Sequence, residues 1–347
     1  MTRALFITLA VLLLFGDAGA THQGDETRAF LETSFNLTNV DFDRIDQGQV
    51  VSRTLDVSDQ REVATLGVVR MAITPEFYVQ QLADIATFKQ AEAVLQIGAF
   101  GNPPDLHDVD RLTLDDSDIR SLRACRVGRC GVQLSAHAIG RFRQEVDWGR
   151  ADAEQRATDL MRKILVEYVG DYLKAGAAAS MEYADQAERV DMGREFVSLA
   201  ESGMGGWQQF PALRRHLEEY PEADARGTTD LVYWSKENVG RRAVTSVTHL
   251  AISRTAGESP ADYAIASKQI YGTHYYDASL GLTVLVRDHS GPSPAMYLAY
   301  MNRSRIDIFG GMFGGLARKI VSSRARATVS DQLTRLRRTI EHQFAAR

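Results

Sequence analysis

Hydrophobic and polar positions along the chain fall into blocks with strand-like or helix-like spacing. Between residues 48 and 73, apolar residues fill both parities from Val63 to Met71, which predicts a strand buried on both sides. A helix is expected to begin directly afterwards, because Thr74 is a typical N-cap residue and Pro75 suits the first helical turn. The first block therefore predicts a buried strand that leads into a helix.

The middle of the chain changes from strand-like to helix-like spacing. Residues 97–134 carry short apolar runs separated by turn residues, which predicts further strands, including Val109–Leu114 and Ile119–Leu134. From Ser135 to about Leu217 the spacing becomes helical, and the clearest stripe runs from Leu160 to Tyr172. The sequence therefore predicts a helical segment at about 135–217.

The last third of the chain returns to strands and ends in a helix. Its apolar runs are separated by short turns, and such short connections favour antiparallel neighbours. The predicted strands are Leu231–Trp234, Val244–Ser253, Tyr263–Tyr271, Leu280–Val286 and Met296–Ile308. A stripe from Leu316 to Phe344 then predicts one long terminal helix with a buried face. The whole order of elements predicts an α+β fold with antiparallel strands.

The first twenty residues have the pattern of a secretory signal. Arg3 precedes an apolar run from Ala4 to Phe15, and Ala18-Gly19-Ala20 forms an A-x-A cleavage site. The run is shorter than the about 20 residues that span a bilayer, although a buried core helix would also fit it. We expect export with cleavage after Ala20, to the periplasm or outside the cell. A loosely ordered leader is expected at 21–47 and one domain at 48–347.

Net charge narrows the classes of function. The 347 residues include 40 Lys and Arg against 45 Asp and Glu, giving a net charge of −5. Nucleic-acid binders gain affinity from an excess of basic residues, so this class is not expected. The last 45 residues are basic, with ten Lys and Arg against three acidic residues. They are compatible with peripheral contact to an anionic membrane, or with packing against the acidic body of the chain.

Cys125 and Cys130 are the only cysteines. We expect a disulfide that closes a hairpin, because an exported protein meets an oxidising compartment. The spacing differs from the C-x-x-C of redox-active pairs, and two cysteines without neighbouring ligands make a poor zinc site. The histidines do not have a metal-ligand spacing either. The sequence therefore predicts neither a metal nor a cofactor.

The order of elements resembles the helix-grip fold of the START-related (SRPBCC) superfamily. The resemblance is carried by the strand Ala64–Ile73, which leads into Thr74-Pro75-Glu76, and by the strands from Trp234 to Ile308, which precede Gly314-Gly315-Leu316 and the terminal helix. In that superfamily a curved antiparallel sheet wraps a long C-terminal helix around an apolar cavity. Members bind lipids and other apolar small molecules, and some are cyclases or hydrolases. The segment at 135–217 would be an insertion.

The candidate binding residues are those that such a cavity would place between the sheet and the terminal helix. They comprise apolar and aromatic side chains for the lining, and two arginines for a polar head group: Tyr271, Tyr276, Tyr300, Leu316, Ile320, Val321, Arg303 and Arg305. We expect an apolar or amphipathic small molecule to bind there without being transformed.

An enzyme in the same cavity and a non-catalytic interaction scaffold are the two alternatives. For the enzyme, His249, His274 and Asp277 are the candidate acid–base residues, because imidazole and carboxylate groups transfer protons in catalysis. Each is equally compatible with a hydrogen-bonded core position or a polar strand surface. Neither a G-x-S-x-G nor an H-E-x-x-H motif occurs in the sequence, which favours the binding protein over the enzyme.

Overall fold

The computed structural model describes residues 18–202, 206–223, 226–240, 242–255, 257, 259–307 and 314–347. Its strands are β1 (Val51–Leu55), β2 (Glu62–Met71), β3 (Val94–Ala99), β4 (Glu182–Tyr183), β5 (Val190–Asp191), β6 (Thr228–Asn238), β7 (Ala243–Arg254), β8 (Tyr263–Gly272), β9 (Tyr276–Arg287) and β10 (Met296–Ile306). Eight of them form one antiparallel sheet in the order β1-β2-β10-β9-β8-β7-β6-β3, while β4 and β5 pair separately. The predicted α+β class and the large antiparallel sheet are confirmed.

The helices cover both faces of the sheet. They are α1 (Ala18–Phe35), α2 (Asn39–Asp46), α3 (Pro75–Leu82), α4 (Ile85–Phe88), α5 (Asp116–Ala124), α6 (Ala136–Glu145), α7 (Ala153–Ala175), α8 (Met192–Glu201), α9 (Pro211–Glu219) and α10 (Gly314–Ala345). Helices α1, α2 and α5 to α9 pack on one face, which we call the outer face, through residues such as Trp234 and Leu282. Helices α3 and α10 pack on the other, the inner face, through residues such as Tyr233 and Leu298.

Strand β2 is buried on both sides, as its sequence predicts. Leu66 and Val68 belong to the core of the outer face, and Val69 and Met71 to that of the inner face. Directly after it, the Thr74 hydroxyl accepts the backbone N–H of Phe77 at 3.2 Å and Pro75 opens α3. The predicted capping is therefore confirmed, and it sets the direction in which the chain leaves the sheet.

Helix α10 lies over β2 and β1, at one side of the inner face. Val329 and Leu333 pack directly over Gly67 of β2. A Cβ added at Gly67 would lie 2.5 Å from Val329 Cγ1 and 2.6 Å from Leu333 Cδ1. Further along the helix, Glu341 accepts the backbone N–H of Ala72 at 2.8 Å. The absence of a side chain at Gly67 thus allows close packing of the terminal helix on the sheet.

On the inner face, side chains from distant strands approach one another. Tyr300 on β10 and Tyr233 on β6 lie four strands apart, which in a flat sheet would separate them by about 19 Å. Nevertheless the pKa of Tyr300, which burial raises, also responds to Lys89 and to Tyr233, and Lys89 is hydrogen-bonded to the Tyr233 hydroxyl at 3.2 Å. The strands therefore curl so that their inner-face side chains approach one another.

Residues 21–47 differ from the expected loosely ordered leader. Their described part forms α1 and α2, and Leu31, Phe42 and Ile45 are fully buried against the outer face. The many polar residues between them concealed this spacing. Burial of these apolar side chains is what orders the segment.

The strand prediction for Val109–Leu114 and Ile119–Leu134 is wrong. Val109 lies in a short 3-10 helix, and most of the second stretch is helix α5 followed by a turn. Asp116 and Asp118 stabilise the first turn of α5, and Ile119 and Leu122 are buried three residues apart on one face. The apolar period here is that of a helix, although the run is too short for the period to be unambiguous.

Cys125 and Cys130 form the predicted disulfide, with their Cα atoms 4.4 Å apart. Arg126 and Arg129 pair between them and complete the hairpin. Residues 1–17 of the expected signal lie outside the described residues, and residues 18–20 belong to α1. Across the described chain, none of the helices combines the length and the apolar character that crossing a membrane requires.

Candidate functional site

The inner face beside α10 carries partly exposed side chains within the central strands, and we call this strip of the sheet the groove. Ser267, Thr283, Tyr300 and Asn302 are all partly exposed, although they lie within the central strands β8, β9 and β10. Leu282, which points to the outer face, is fully buried. A mid-strand side chain stays accessible only if the layer above it is incomplete. The helices therefore leave space above the central strands.

The floor of the groove is rich in hydroxyl and amide groups. A Cβ at Gly281 would lie 2.3 Å from Ser267 Oγ and 3.6 Å from Tyr300 Cε2, so the glycine keeps the floor low between them. Beside it, Asn302 Nδ2 donates to Ser279 Oγ at 3.1 Å and Ser304 donates to Asn302 Oδ1 at 2.8 Å. These groups form an ordered row of donors and acceptors that a bound molecule can contact.

An ion pair lies at the far side of the groove, where α4 meets β6. Lys89 Nζ is 3.0 Å from Glu237 Oε1 and 3.2 Å from the Tyr233 hydroxyl, and the two charged side chains keep 29% and 21% exposure. Burial alone would lower the pKa of Lys89, but Tyr233 and Glu237 outweigh it and raise that pKa. Burial would raise the pKa of Glu237, and Lys89 lowers it instead. Both groups are therefore charged at neutral pH.

Tyr276 and Tyr300 add neutral donors. Burial raises the pKa of each to about 12, so both keep their phenolic protons at physiological pH. Tyr276 packs against Val63 and Ile306, the pair against which Val321 of α10 also packs. The sheet and the terminal helix therefore meet at this end of the groove.

The structure brings together only some of the predicted binding residues. Tyr276, Tyr300 and Val321 lie at the groove, whereas Ile320 points away with 46% exposure. The side chain of Leu316 lies outside the described residues.

The remaining three predicted binding residues lie on the outer face. Tyr271 is buried beneath the helices and donates its hydroxyl to the carbonyl of Gln133 at 3.1 Å. Arg303 and Arg305 are buried and hold the carboxylate of Glu62. Strand alternation explains the two arginines, because consecutive side chains point to opposite faces. Tyr271 has the parity of Ser267, and it reaches the outer face because the pairing of β7 with β8 shifts between Val247 and Thr248. Arg303 and Arg305 therefore do not line the groove.

Sequence reasoning missed Lys89, Glu237, Ser267 and Thr283. The usable signal was a short set of polar residues at alternate positions in the middle of the strands: Ser267 and Gln269 in β8, Ser279 and Thr283 in β9, and Tyr300, Asn302 and Ser304 in β10. Such alternation is typical of a face that is not packed in a core. The position of Lys89 beside β6 had no comparable signal, because it depends on the curvature of the sheet.

His249 belongs to a second polar cluster, on the outer face. Asp230 Oδ1 lies 2.8 Å from both His249 Nε2 and His216 Nε2, and the Tyr172 hydroxyl lies 2.8 Å from His249 Nδ1. Hydrogen bonds from the two imidazoles lower the pKa of Asp230 to about 2 against the effect of burial. The pKa of His216 is raised, chiefly by its hydrogen bond to Asp230, while burial lowers that of His249.

A buried lysine lies beside this cluster. Lys268 pairs with His249 across β7 and β8, and its ammonium lies 4.0 Å from the ring centre of Phe196. Its Nζ donates to the carbonyl of Leu217 at 3.3 Å. Burial lowers the pKa of Lys268 to about 8, so a fraction of it is neutral at physiological pH.

His274 and Asp277 lie apart from both clusters. His274 Nε2 is hydrogen-bonded to Asp118 Oδ1 at 3.0 Å, and both residues are buried. His274 borders a small surface pocket of about 220 Å³ that Asp185 and Asp307 also line. Burial, together with Asp307 and Glu195, raises the pKa of Asp277 to about 7. His274 and Asp277 thus share the neighbourhood of Asp307, apart from His249, and none of the three candidates lies in the groove.

The comparisons with known proteins add no relative. No protein-family model matches the chain, and none of the curated proteins is significantly similar to it in sequence. The functional argument therefore depends on the geometry of the chain itself.

Proposed function

We propose that this protein binds an amphipathic small molecule in the groove between the concave sheet and α10. The observation that carries the proposal is the partial exposure of Ser267, Thr283, Tyr300 and Asn302 within the central strands of an otherwise covered sheet. A concave site with a few convergent polar groups is the usual form of a small-molecule site.

The lining favours an amphipathic molecule over a purely apolar one. The floor offers hydroxyl and amide groups, and the Lys89–Glu237 pair supplies fixed charge at one side. On the wall formed by α3 and α4, the ring centroids of Tyr78 and Phe88 lie 5.2 Å apart, and Tyr300 is close enough to Tyr78 to help burial raise the pKa of Tyr78. A molecule with an apolar part and a hydrogen-bonding part would satisfy both surfaces.

Binding is favoured over catalysis by the placement of the acid–base candidates. His249 lies on the outer face, His274 is hydrogen-bonded to Asp118, and Asp277 is buried near Asp307 and Glu195, away from the groove. Acid–base catalysis needs such a group within hydrogen-bond reach of the bound molecule. The groove itself presents a charged pair and neutral hydroxyls, which suit recognition.

The fold that we propose is a helix-grip arrangement of the START-related type. Strand β2 leads into α3 and α4, and the last strand, β10, pairs with β2 before α10 packs over β2 and β1. This order supports the resemblance seen in the sequence. Helices α5 to α9 form an additional layer on the outer face, so the insertion does not block the groove.

We also propose that the protein is exported, to the periplasm or outside the cell. The proposal is supported by the signal-like first twenty residues and by the Cys125–Cys130 disulfide. Disulfides persist in oxidising compartments.

Filling the groove should abolish binding without unfolding the protein. We expect Thr283→Trp to weaken the binding of N-phenyl-1-naphthylamine, a fluorescent amphiphile, by at least about tenfold, because the indole would occupy the space above the floor. Thr283 is partly exposed, so the larger side chain has room without displacing the core. A fluorescence titration of the wild type and the variant measures the effect.

The matched control is Thr339→Trp, an identical exchange at an exposed position of α10. It should bind the probe like the wild type. Ser267→Leu provides a second, smaller filling of the groove, and circular dichroism identifies any variant that fails to fold. Absence of saturable binding by the wild type, or equal affinity in folded Thr283→Trp, would rule out the groove as the site.

A further inference from the structure

We propose that His216, Asp230 and His249 form a binding site for one divalent transition-metal ion of the zinc class. This site lies on the outer face of the sheet and is independent of the groove. Two imidazoles and one carboxylate are a donor set that Zn²⁺ and Fe²⁺ accept in proteins.

The three donor atoms already converge. His216 Nε2 and His249 Nε2 each lie 2.8 Å from Asp230 Oδ1, and the three ligand atoms all lie within 4.8 Å of one another. With metal–ligand bonds of about 2.0–2.2 Å, neighbouring ligands of one ion lie about 3.0–3.5 Å apart. Small side-chain movements therefore suffice to admit an ion between them.

In both histidines the ring nitrogen that would not bind the metal, Nδ1, has a hydrogen-bond partner, as metal ligands require. His216 Nδ1 donates to the carbonyl of Ala223 at 3.1 Å, because a carbonyl can only accept. His249 Nδ1 is hydrogen-bonded to the Tyr172 hydroxyl at 2.8 Å. Metal-binding histidines are usually oriented by such contacts at the second ring nitrogen.

In this arrangement a neutral His216 carries its proton on Nδ1. The lone pair of its Nε2 atom is then directed at a carboxylate oxygen of Asp230. Two electron pairs 2.8 Å apart repel each other unless a positive charge lies between them. Either a second proton on His216 or a metal ion satisfies that requirement.

The scaffold of the site is rigid, and it has access to solvent. The ligands come from α9, β6 and β7, and the ring of Tyr220 packs against His249 with centroids 4.5 Å apart. Both histidines are buried, whereas the side chain of Asp230 keeps 27% exposure. An ion can therefore enter past Asp230, and a water molecule can complete its coordination from that side.

The test is a Zn²⁺ titration of the untagged, full-length exported protein after EDTA has removed any bound metal. Calorimetry measures the binding. We expect one Zn²⁺ per chain, and a visible Co²⁺ absorption spectrum of nitrogen–oxygen coordination when Co²⁺ is the probe. Asp230→Asn, at the partly exposed ligand, should weaken Zn²⁺ binding by at least about 100-fold, since even the loss of an outer-shell partner costs 10–100-fold. His216→Gln should behave alike.

The control is His274→Gln, which disrupts another buried His–Asp pair, that of His274 with Asp118. It should retain the stoichiometry and the affinity of the wild type. The proposal is overturned if the wild type binds no stoichiometric Zn²⁺, if Asp230→Asn binds Zn²⁺ as tightly as the wild type, or if His274→Gln loses binding to the same extent. The titration of the wild type is decisive even if a histidine variant fails to fold.

Discussion

Replacing Glu62 by Gln should lower the free energy of unfolding by about 3–5 kcal/mol, the largest effect that we expect of a single substitution. Glu62 is fully buried, and its two carboxylate oxygens lie 2.8 Å from Arg303 Nη1 and 2.8 Å from Arg305 Nη2. Arg305 would retain Glu195 and Asp59. Arg303 would keep the hydroxyl of Ser202 at 2.9 Å and would lose its buried ion pair with Glu62.

A urea unfolding curve monitored by tryptophan fluorescence measures this loss. We expect a lower midpoint concentration of urea, while the slope of the free energy of unfolding against urea concentration stays unchanged. The matched control is Glu145→Gln, which removes the carboxylate of an ion pair with Arg141 whose glutamate is 45% exposed. Exposed pairs contribute at most about 1 kcal/mol. If Glu62→Gln lowered the free energy of unfolding no more than this control, the buried ion pairs of Glu62 with Arg303 and Arg305 would not be what holds α8 on the sheet.

Asp277→Asn should stabilise the protein at pH 8 and leave its stability almost unchanged at pH 4. Asp277 is buried, and none of the described residues gives its carboxylate a hydrogen bond or an ion pair. Its pKa is raised from 3.8 to about 7 by burial and by Asp307 and Glu195. At pH values between 3.8 and about 7, Asp277 is ionised in the unfolded chain but still protonated in the folded protein. The free energy of unfolding of the wild type therefore falls as the pH rises through this range.

A shift of about three pKa units corresponds to about 4 kcal/mol, which sets the upper limit of the gain at pH 8. Asparagine does not ionise, so the variant should lack this pH dependence between pH 4 and pH 7. Unfolding at both pH values gives the comparison, with Asp43→Asn on the exposed side of α2 as the control. Parallel pH profiles for the wild type and Asp277→Asn would contradict the raised pKa.

The architecture follows from the sequence where the apolar period is long. The strands from β6 to β10 and the terminal helix were predicted because each carries many apolar residues at one period. The segment around Ile119 was predicted as strands because a short apolar run fits both periods. Residues 21–47 were predicted to be loosely ordered because Leu31 and Phe42 lie far apart among polar residues. Only the tertiary packing shows that these two side chains are buried.

The candidate sites were less predictable because they depend on long-range contacts. Asp230 and His249 come together through the pairing of β6 with β7, and His216 reaches them from a helix whose docking no local pattern specifies. Arg303 and Arg305 were predicted to contact a polar head group, but the sequence alone did not reveal which face of the sheet they occupy. A shift by one residue exchanges the two faces of a strand, so the parity has to be known before a lining can be assigned.

The central claim is that the groove holds a small amphipathic molecule, and native mass spectrometry of the protein purified from the exported fraction tests it most directly. We predict a stoichiometric bound molecule that organic extraction releases, and its absence from Thr283→Trp purified in the same way. Wild-type protein of the mass of its chain alone, which also takes up no added oleic acid, would contradict the claim.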